Sequence, residues 1–188
     1  MSLILFYDTE TTGLPLFKEP SENPGQPHIV QIAAALVDEQ TRKTVQSIDL
    51  IIKPDGYEIP EEMTAIHGID TAFASAYGVP FFHAISVFFH MWYGQKRVAF
   101  NESFDARIIR IAQHRLGVSE KNLDEWKVAP AECCMRMANP YTKLGKFPKL
   151  VEAHRHFIGS DFDDQHSAMA DVNACIAVYF AIKDMEND

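Results

Sequence analysis

The hydrophobic pattern of this chain changes period at Pro54-Asp55-Gly56, and that change limits the folds open to it. Before it, residues 3–7, 29–37 and 45–52 are short apolar runs of strand length. The first is apolar without alternation and stops at Asp8, which predicts a strand buried on both faces. The second and third are separated only by the polar residues 38–43, a turn of hairpin length, so the three early strands predict an antiparallel meander. Between the first and second lies a polar stretch, residues 14–27, carrying four of the ten prolines (Pro15, Pro20, Pro24, Pro27). That density excludes both helix and central strand.

After the change, helical signals dominate. Residues 60–66 read as a short helix with Pro60 at its first turn and Glu61 and Glu62 complementing its dipole. Residues 81–93 form an apolar helix closed by Gly94, and 97–100 a short strand. Further helices are expected at 104–116, stopped by Gly117, at 150–158, stopped by Gly159, and at 168–185. Strands first, then strand alternating with helix, predict a mixed sheet covered by helices, in the α/β class. No internal repeat or linker divides the 188 residues, which suit a single domain over residues 1–188.

The balance of 17 Lys+Arg against 26 Asp+Glu gives a net charge of −9, which excludes binding to nucleic acid or anionic membrane by bulk attraction. Any polyanionic partner must be held locally. No apolar run approaches the roughly 20 residues that span a bilayer, and Asp8 interrupts the start too early for a signal peptide, so a cytoplasmic protein is expected. Cys133, Cys134 and Cys175 offer neither a disulfide framework nor zinc-site spacing, and are read as reduced, with Cys175 structural.

Several acids resist explanation as ordinary surface. Asp8 and Glu10 stand where the first buried strand runs out, and residues two apart on an extended chain point to one side. Two carboxylates therefore converge, and a hard divalent cation is the usual relief for their repulsion. Thr9, Thr11, Thr12 and Gly13 surround them with small donors and a glycine, which lets backbone N–H groups approach a phosphate or sugar. Asp105 follows the strand 97–100 at the start of a helix, and Asp171 lies on the first turns of the last helix, just after His166. Taken singly, these residues read as an Asx-type turn, a helix N-terminal charge and a solvated helix start.

Taken together, Asp8-Thr9-Glu10-Thr11-Thr12-Gly13, Asn101-x-x-Phe104-Asp105 and His166-x-Ala168-x-x-Asp171 resemble, in this order and spacing, the three motifs of the DEDDh (DnaQ-like) 3′–5′ exonucleases. These are the polymerase proofreading exonucleases and their free-standing relatives. The resemblance covers residues 3 to about 180 and includes a weaker element, 59–69, ending in His67-Gly68-Ile69. It implies a ribonuclease H-like fold with a five-stranded mixed sheet. It also implies that Asp8, Glu10, Asp105 and Asp171 bind two Mg²⁺ or Mn²⁺ ions, with His166 as general base. A histidine, ordinarily titrating near ~6.5, suits proton acceptance near neutral pH better than lysine or carboxylate. The resemblance further implies that Thr12 and His67 stand beside the terminal nucleotide, and Asn101 joins Thr9, Thr11 and Gly13 as a further candidate for substrate contact. Two departures stand out: Phe100, where many members carry His, and Arg107 and Arg110 on a helix that is often more apolar.

The leading reading is an exonuclease acting on 3′ ends of mainly single-stranded DNA and releasing nucleoside 5′-monophosphates. RNA ends are the alternative substrate. A non-catalytic nucleic-acid-binding or polymerase-associated module is a third reading, disfavoured because none of the acids nor His166 is missing. No appended tail suggests polymerase docking, though a polymerase could bind the folded surface. Lys143, Lys146, Lys149 and Arg155 around Tyr141 and Phe147 form the densest basic segment and a candidate strand-binding region. The 14–27 loop could cap or guide the strand. Of the other histidines, His154 and His156 are expected on a polar helix face, and His83 and His90 in a partly buried aromatic cluster.

Overall fold

The computed structural model describes residues 2–187 and contains, among them, five strands and eight helices. The meander is β1 (Leu3–Thr11), β2 (Ile29–Asp38) and β3 (Thr44–Ile51), with β1 and β2 antiparallel and β2 and β3 antiparallel. Then come α1 (Glu61–His67), α2 (Thr71–Tyr77), α3 (Phe81–Trp92), β4 (Lys96–Ala99), α4 (Glu102–Arg115) and α5 (Glu120–Val128). The chain ends with β5 (Ala131–Cys133), α6 (Cys134–Thr142), α7 (Leu150–Ile158) and α8 (Ala168–Asn187). Strand order is β3-β2-β1-β4-β5, and β4 runs parallel to both β1 and β5. This is the five-stranded mixed sheet of the ribonuclease H-like α/β fold.

The period-2 alternation of β1 sorts its side chains between two cores. Leu5 and Tyr7 join α3, α4 and α5 on one face, around Phe88, Trp92 and Trp126. Ile4 and Phe6 join α6, α7 and α8 on the other. Because β1 is central, both faces are dry, which explains its unalternated sequence. No helix among the described residues is long and apolar enough to cross a membrane.

Several expectations need correction. β1 does not end at Asp8 but runs on to Thr11, because β2 continues to pair with it as far as Ile29, with a bulge between Glu10 and Thr11. α2, α5, β5 and α6 had no clear signal: α5 buries only Leu123 and Trp126, β5 has three residues, and α6 carries Pro140. His83 and His90 are exposed rather than partly buried, because they lie on the outer side of α3. His154 is buried rather than on a polar face, its Nδ1 bonded to the Ser160 carbonyl at 2.8 Å, while His156 is exposed. The three cysteines are free thiols, and Cys134 and Cys175 are buried.

Gly78 marks a tight approach. The chain leaves α2 there and bridges back to the sheet, with Val79 N–H donating to Ile51 and Lys53 N–H to Val79, both at 2.9 Å. At φ −70° its backbone suits any residue, so the constraint is spatial. A Cβ there would lie 2.4 Å from the Ala74 carbonyl oxygen and 2.6 Å from Lys53 N. Gly78→Ala is therefore expected to cost about 1–3 kcal/mol and to lower the melting temperature by roughly 3–10 °C in a chain of this size. A circular-dichroism melt unchanged from the parent would show that the bridge yields freely.

Candidate active site

Asp8 and Glu10 share the face of β1 that carries Ile4 and Phe6, so the same alternation that builds the second core aims both carboxylates toward α8. Glu10 meets Asp171 and His166 there, the ligand atoms of the three lying within 4.8 Å of one another. Asp171 sits in the first turn of α8, where its N–H donates to the Ser167 carbonyl, and its carboxylate accepts the backbone N–H of His166. His166 is exposed and has φ 68°, a left-handed conformation uncommon for a residue with a side chain. The bend before α8 thus holds its ring at the mouth of the site.

Asp105 arrives from the opposite core. It is 2% exposed on the first turn of α4, and one of its oxygens accepts from Thr9 Oγ1 at 2.8 Å and from Thr9 N–H at 3.1 Å. β1 thereby offers Asp8 and Glu10 on one side and secures Asp105 through Thr9 on the other. The start of α4 is fixed as well. Arg97, buried on β4, lies 4.1 Å above the Trp126 ring, donates to the Trp126 carbonyl at 2.7 Å, and pairs with Glu102 at 3.2 Å.

Crowding and burial make these carboxylates reluctant to ionise. Asp8 is raised well above the usual range, by burial first and then by Asp105, Asp171 and Glu10. Burial, followed by Asp171 and Asp105, pushes Glu10 up to about 8. Asp105 rises to about 7 through burial, moderated by the Thr9 hydrogen bonds. Asp171 rises to about 6, again through burial, with His166 pulling the other way. Every one of the four is held in a state that a nearby cation would relieve.

The residues considered for substrate contact divide. The Thr9 hydroxyl is committed to Asp105, and the Thr11 hydroxyl donates to the Gly13 carbonyl at 2.8 Å. Thr12 and Gly13 are half-buried at the end of β1, where Thr12 N–H donates to the His28 carbonyl and Thr12 Oγ1 accepts from His28 N–H. His67 is buried at the end of α1, and its Nδ1 accepts the Ile69 N–H at 3.2 Å. That bond places the ring proton on Nε2, which turns toward the Thr11 backbone without completing a hydrogen bond. Asn101 is half-buried just before α4, its side-chain oxygen accepting from Ser103.

Two supporting residues escaped the sequence reading. Gln31 is buried in β2 opposite Glu10, donates to Asp49 at 2.6 Å, and accepts the Ala168 N–H at 3.2 Å, tying the start of α8 to the sheet. Gln26 donates through Nε2 to the Leu16, Glu19 and Pro20 carbonyls and accepts the Leu16 N–H, knotting the 14–27 loop about one side chain. The visible signal was a polar residue inside the apolar run 29–37 for Gln31; Gln26 had none. Arg107 donates to the Glu19 carbonyl and Arg115 to those of Gln26 and Pro27, so α4 anchors that loop. Phe100, where histidine was the family expectation, packs into the second core. In the basic segment, Lys146 pairs with Glu152 and Arg155 with Asp161, which cancels two of its four charges.

Residues 5–179 match the RNase_T exonuclease family. No curated protein sequence matches the chain. Among solved structures, the zinc-bound form of an Escherichia coli Exonuclease I–single-stranded DNA complex superposes with a TM-score of 0.77 at 21% identity, over 100% of this chain and 41% of that one. The same enzyme with a 5cy-dT13 oligonucleotide gives 0.79 at 20% identity, over 100% and 42%. A product-bound Exonuclease I gives 0.76 at 21%, over 98% and 44%. The chain spans about two fifths of the length of these structures, and the likeness establishes the fold. With the match running almost end to end, the chain belongs to the RNase_T exonuclease family of metal-dependent hydrolases.

Proposed function

We propose that this chain removes nucleotides one at a time from the 3′ ends of DNA, mainly single-stranded, releasing nucleoside 5′-monophosphates. The observation that carries this reading is the convergence of Asp8, Glu10, Asp105 and Asp171, each raised above its ordinary pKa, beside an exposed histidine. The donor set is hard carboxylate oxygen, which suits Mg²⁺ or Mn²⁺, and the four acids would hold two such ions. When bound, a pair of such ions would acidify the attacking water and neutralise charge building on the phosphoryl group and the leaving 3′-oxygen.

The remaining work falls to the chain's own groups. His166, held at the mouth by its left-handed backbone, accepts the proton from the attacking water. Thr9 keeps Asp105 in one rotamer, and the His166 N–H does the same for Asp171. His67 supplies an unsatisfied donor for the sugar of the terminal nucleotide, beside Thr12, Gly13 and Asn101. The oligonucleotides bound to Exonuclease I in the similar structures, dT13 and dA16, support DNA over RNA for this chain. The substrate reading is tested with 5′-labelled DNA and RNA oligonucleotides, linear and circular, in Mg²⁺, Mn²⁺ or chelator. Stepwise shortening of linear DNA is expected only with the cation. Rapid cutting of closed circles would show an endonuclease, and faster RNA shortening would reverse the substrate preference. Asp171→Ala should retain less than about a tenth of the activity, since two-ion catalysis needs both ions.

His166→Ala should lose about 10² to 10⁴ in kcat, the usual worth of a positioned base, while calorimetric Mn²⁺ binding persists on the four acids. The proximity of His166 to Glu10 and Asp171 favours one other role, that of a cation ligand. Lost Mn²⁺ binding in the variant would assign it that role, and near-normal turnover would assign it neither.

Stability should also report the crowded acids. A carboxylate raised in the folded state holds its proton where the unfolded chain has lost it, so the fold weakens as pH climbs toward the raised value. His28, lowered to about 4 by burial and Arg115, and His67, lowered by burial, impose the opposite slope below about 6.5, where unfolded histidine protonates. Above about pH 6.5 that opposition ends, and the raised carboxylates are left, Asp105 near 7 and Glu10 near 8 together with Asp8, which is raised well above its usual range. In chelator, the melting temperature should therefore fall between about pH 6.5 and 8.5, and Mn²⁺ should protect more at the upper end. Asp171→Ala should flatten the fall by removing one repelling charge. Asp105→Ala is a poorer choice, since it strands both Thr9 donors. A flat or rising profile for the parent protein in chelator would contradict the crowding.

A further inference from the structure

A large cavity lies at the other end of the sheet from the carboxylates. Asp8 and Glu10 lie toward the C-terminal end of β1, and Asn101 and Asp105 follow the C-terminal end of β4, with β5 running parallel to both strands. The segments entering the N-terminal ends of β4 and β5, together with the length of α3, the end of α4 and α5, enclose a space of about 800 Å³ open to solvent. Phe82, Phe89, Trp92, Gln113, Leu116 and Val128 line it, and no residue of the candidate active site does. Gln113 is eight residues beyond Asp105 on α4, about 12 Å along the helix.

The cavity carries an unmet polar demand. Only five side-chain polar atoms among the described residues are buried without a partner, and two belong to this wall: Trp92 Nε1 and Gln113 Oε1. Gln113 is 2% exposed and Trp92 8%. An indole N–H can only donate and a carboxamide oxygen can only accept. Both atoms are closed to solvent, and rotation of the Gln113 carboxamide, a soft torsion, is the movement that would turn its oxygen to the cavity. An apolar space bordered by one free donor and one free acceptor matches a group holding one of each, which is an amide.

The rim determines the size and charge of the occupant. Phe82 is 61% exposed, Val128 80% and Tyr93 82%, so the apolar surface continues outward beyond what a small molecule inside the cavity would cover. α5 carries Glu120, Asp124 and Glu125 against Lys121 and Lys127, and with Glu125 paired to Lys121 this helix, of net charge −1, offers a nucleic-acid strand or an anionic lipid no attraction. We propose that this cavity is a docking site for an apolar peptide segment of a partner protein, which inserts one bulky side chain and places its backbone amide against Trp92 and Gln113. Peptide and substrate would then engage opposite ends of the sheet, so docking would leave the strand path open.

The test uses N-acetyl-leucyl-phenylalanine N-methylamide as probe, with the analogue in which an ester replaces the central amide. The protein has two tryptophans, so its indole N–H signals in a ¹⁵N correlation spectrum are readily assigned by substitution. The probe should shift the Trp92 indole signal at millimolar concentration. The ester, and the Gln113→Leu variant with the parent probe, should bind about five- to tenfold more weakly, the worth of one neutral hydrogen bond. Oligonucleotide shortening by Gln113→Leu should match the parent. No Trp92 shift at 10 mM probe (on the order of the weakest fragment binding worth reading), or equal binding of amide and ester, would overturn the proposal. Concentration-dependent dimers abolished by Leu116→Arg would also overturn it, assigning the cavity to a second copy of the chain.

Discussion

Four carboxylates kept partly out of water within one another's field set the terms for the rest of this molecule. Left to relax, they would separate or protonate. Separation is blocked because each is held by backbone: Asp8 and Glu10 by the central strand, Asp105 by the Thr9 N–H and hydroxyl, Asp171 by the His166 N–H. What remains is protonation, which is why Glu10 stays neutral up to about 8, or neutralisation by a cation. A divalent cation would relieve a site strained in this way, and the hydrolysis proposed above is the chemistry that would use it.

Helix α4 shows how the surrounding structure serves that constraint. Its first turn delivers Asp105, and Arg97 with Glu102 pins the same turn to Trp126 and the first core. Its outer side carries Arg107 and its last turn Arg115, and both reach the backbone of the 14–27 loop. Neither touches an acid, and of the two only Arg107 is among the departures from the family pattern. Their role is to hold a proline-rich loop that leaves the site directly after Gly13, and Gln26 completes the attachment from inside the loop. The loop displays Leu14, Leu16 and Phe17 to solvent from a fixed frame rather than as a free excursion.

The strands and acids were legible because their signals are local. Period-2 sorting on β1 needs only the order of Ile4, Phe6, Asp8 and Glu10, and the motif residues keep their spacing whatever the fold does elsewhere. The elements that escaped depend on partners distant in sequence. α5 offers two buried side chains in nine residues, and β5 exists because β4 lies beside it. The reach of β1 to Thr11 is set by β2, not by its own hydrophobicity. The basic segment misled for a related reason: Glu152 and Asp161 lie six residues from Lys146 and Arg155 in sequence, and only the folding of α7 and its exit brings each acid to its base. His154 likewise looks polar on a helical wheel until the chain after Gly159 folds back to present the Ser160 carbonyl.

The two ends of the sheet carry opposite chemistry for one topological reason. Parallel strands bring their loops together at the carboxyl ends, where polar groups can face a ligand without breaking the ladder. At the amino ends, helix termini close the layer with apolar side chains, and here α3, α4 and α5 leave that closure incomplete around Trp92 and Gln113. A chain of net charge −9 gains no long-range attraction toward a polyanionic strand, and whatever attraction its local cations provide weakens with salt. An apolar docking surface has neither handicap. Delivery to the substrate by an apolar contact at one end would leave the carboxylate end free to do the one thing its charge permits, which is to gather cations before it meets phosphate.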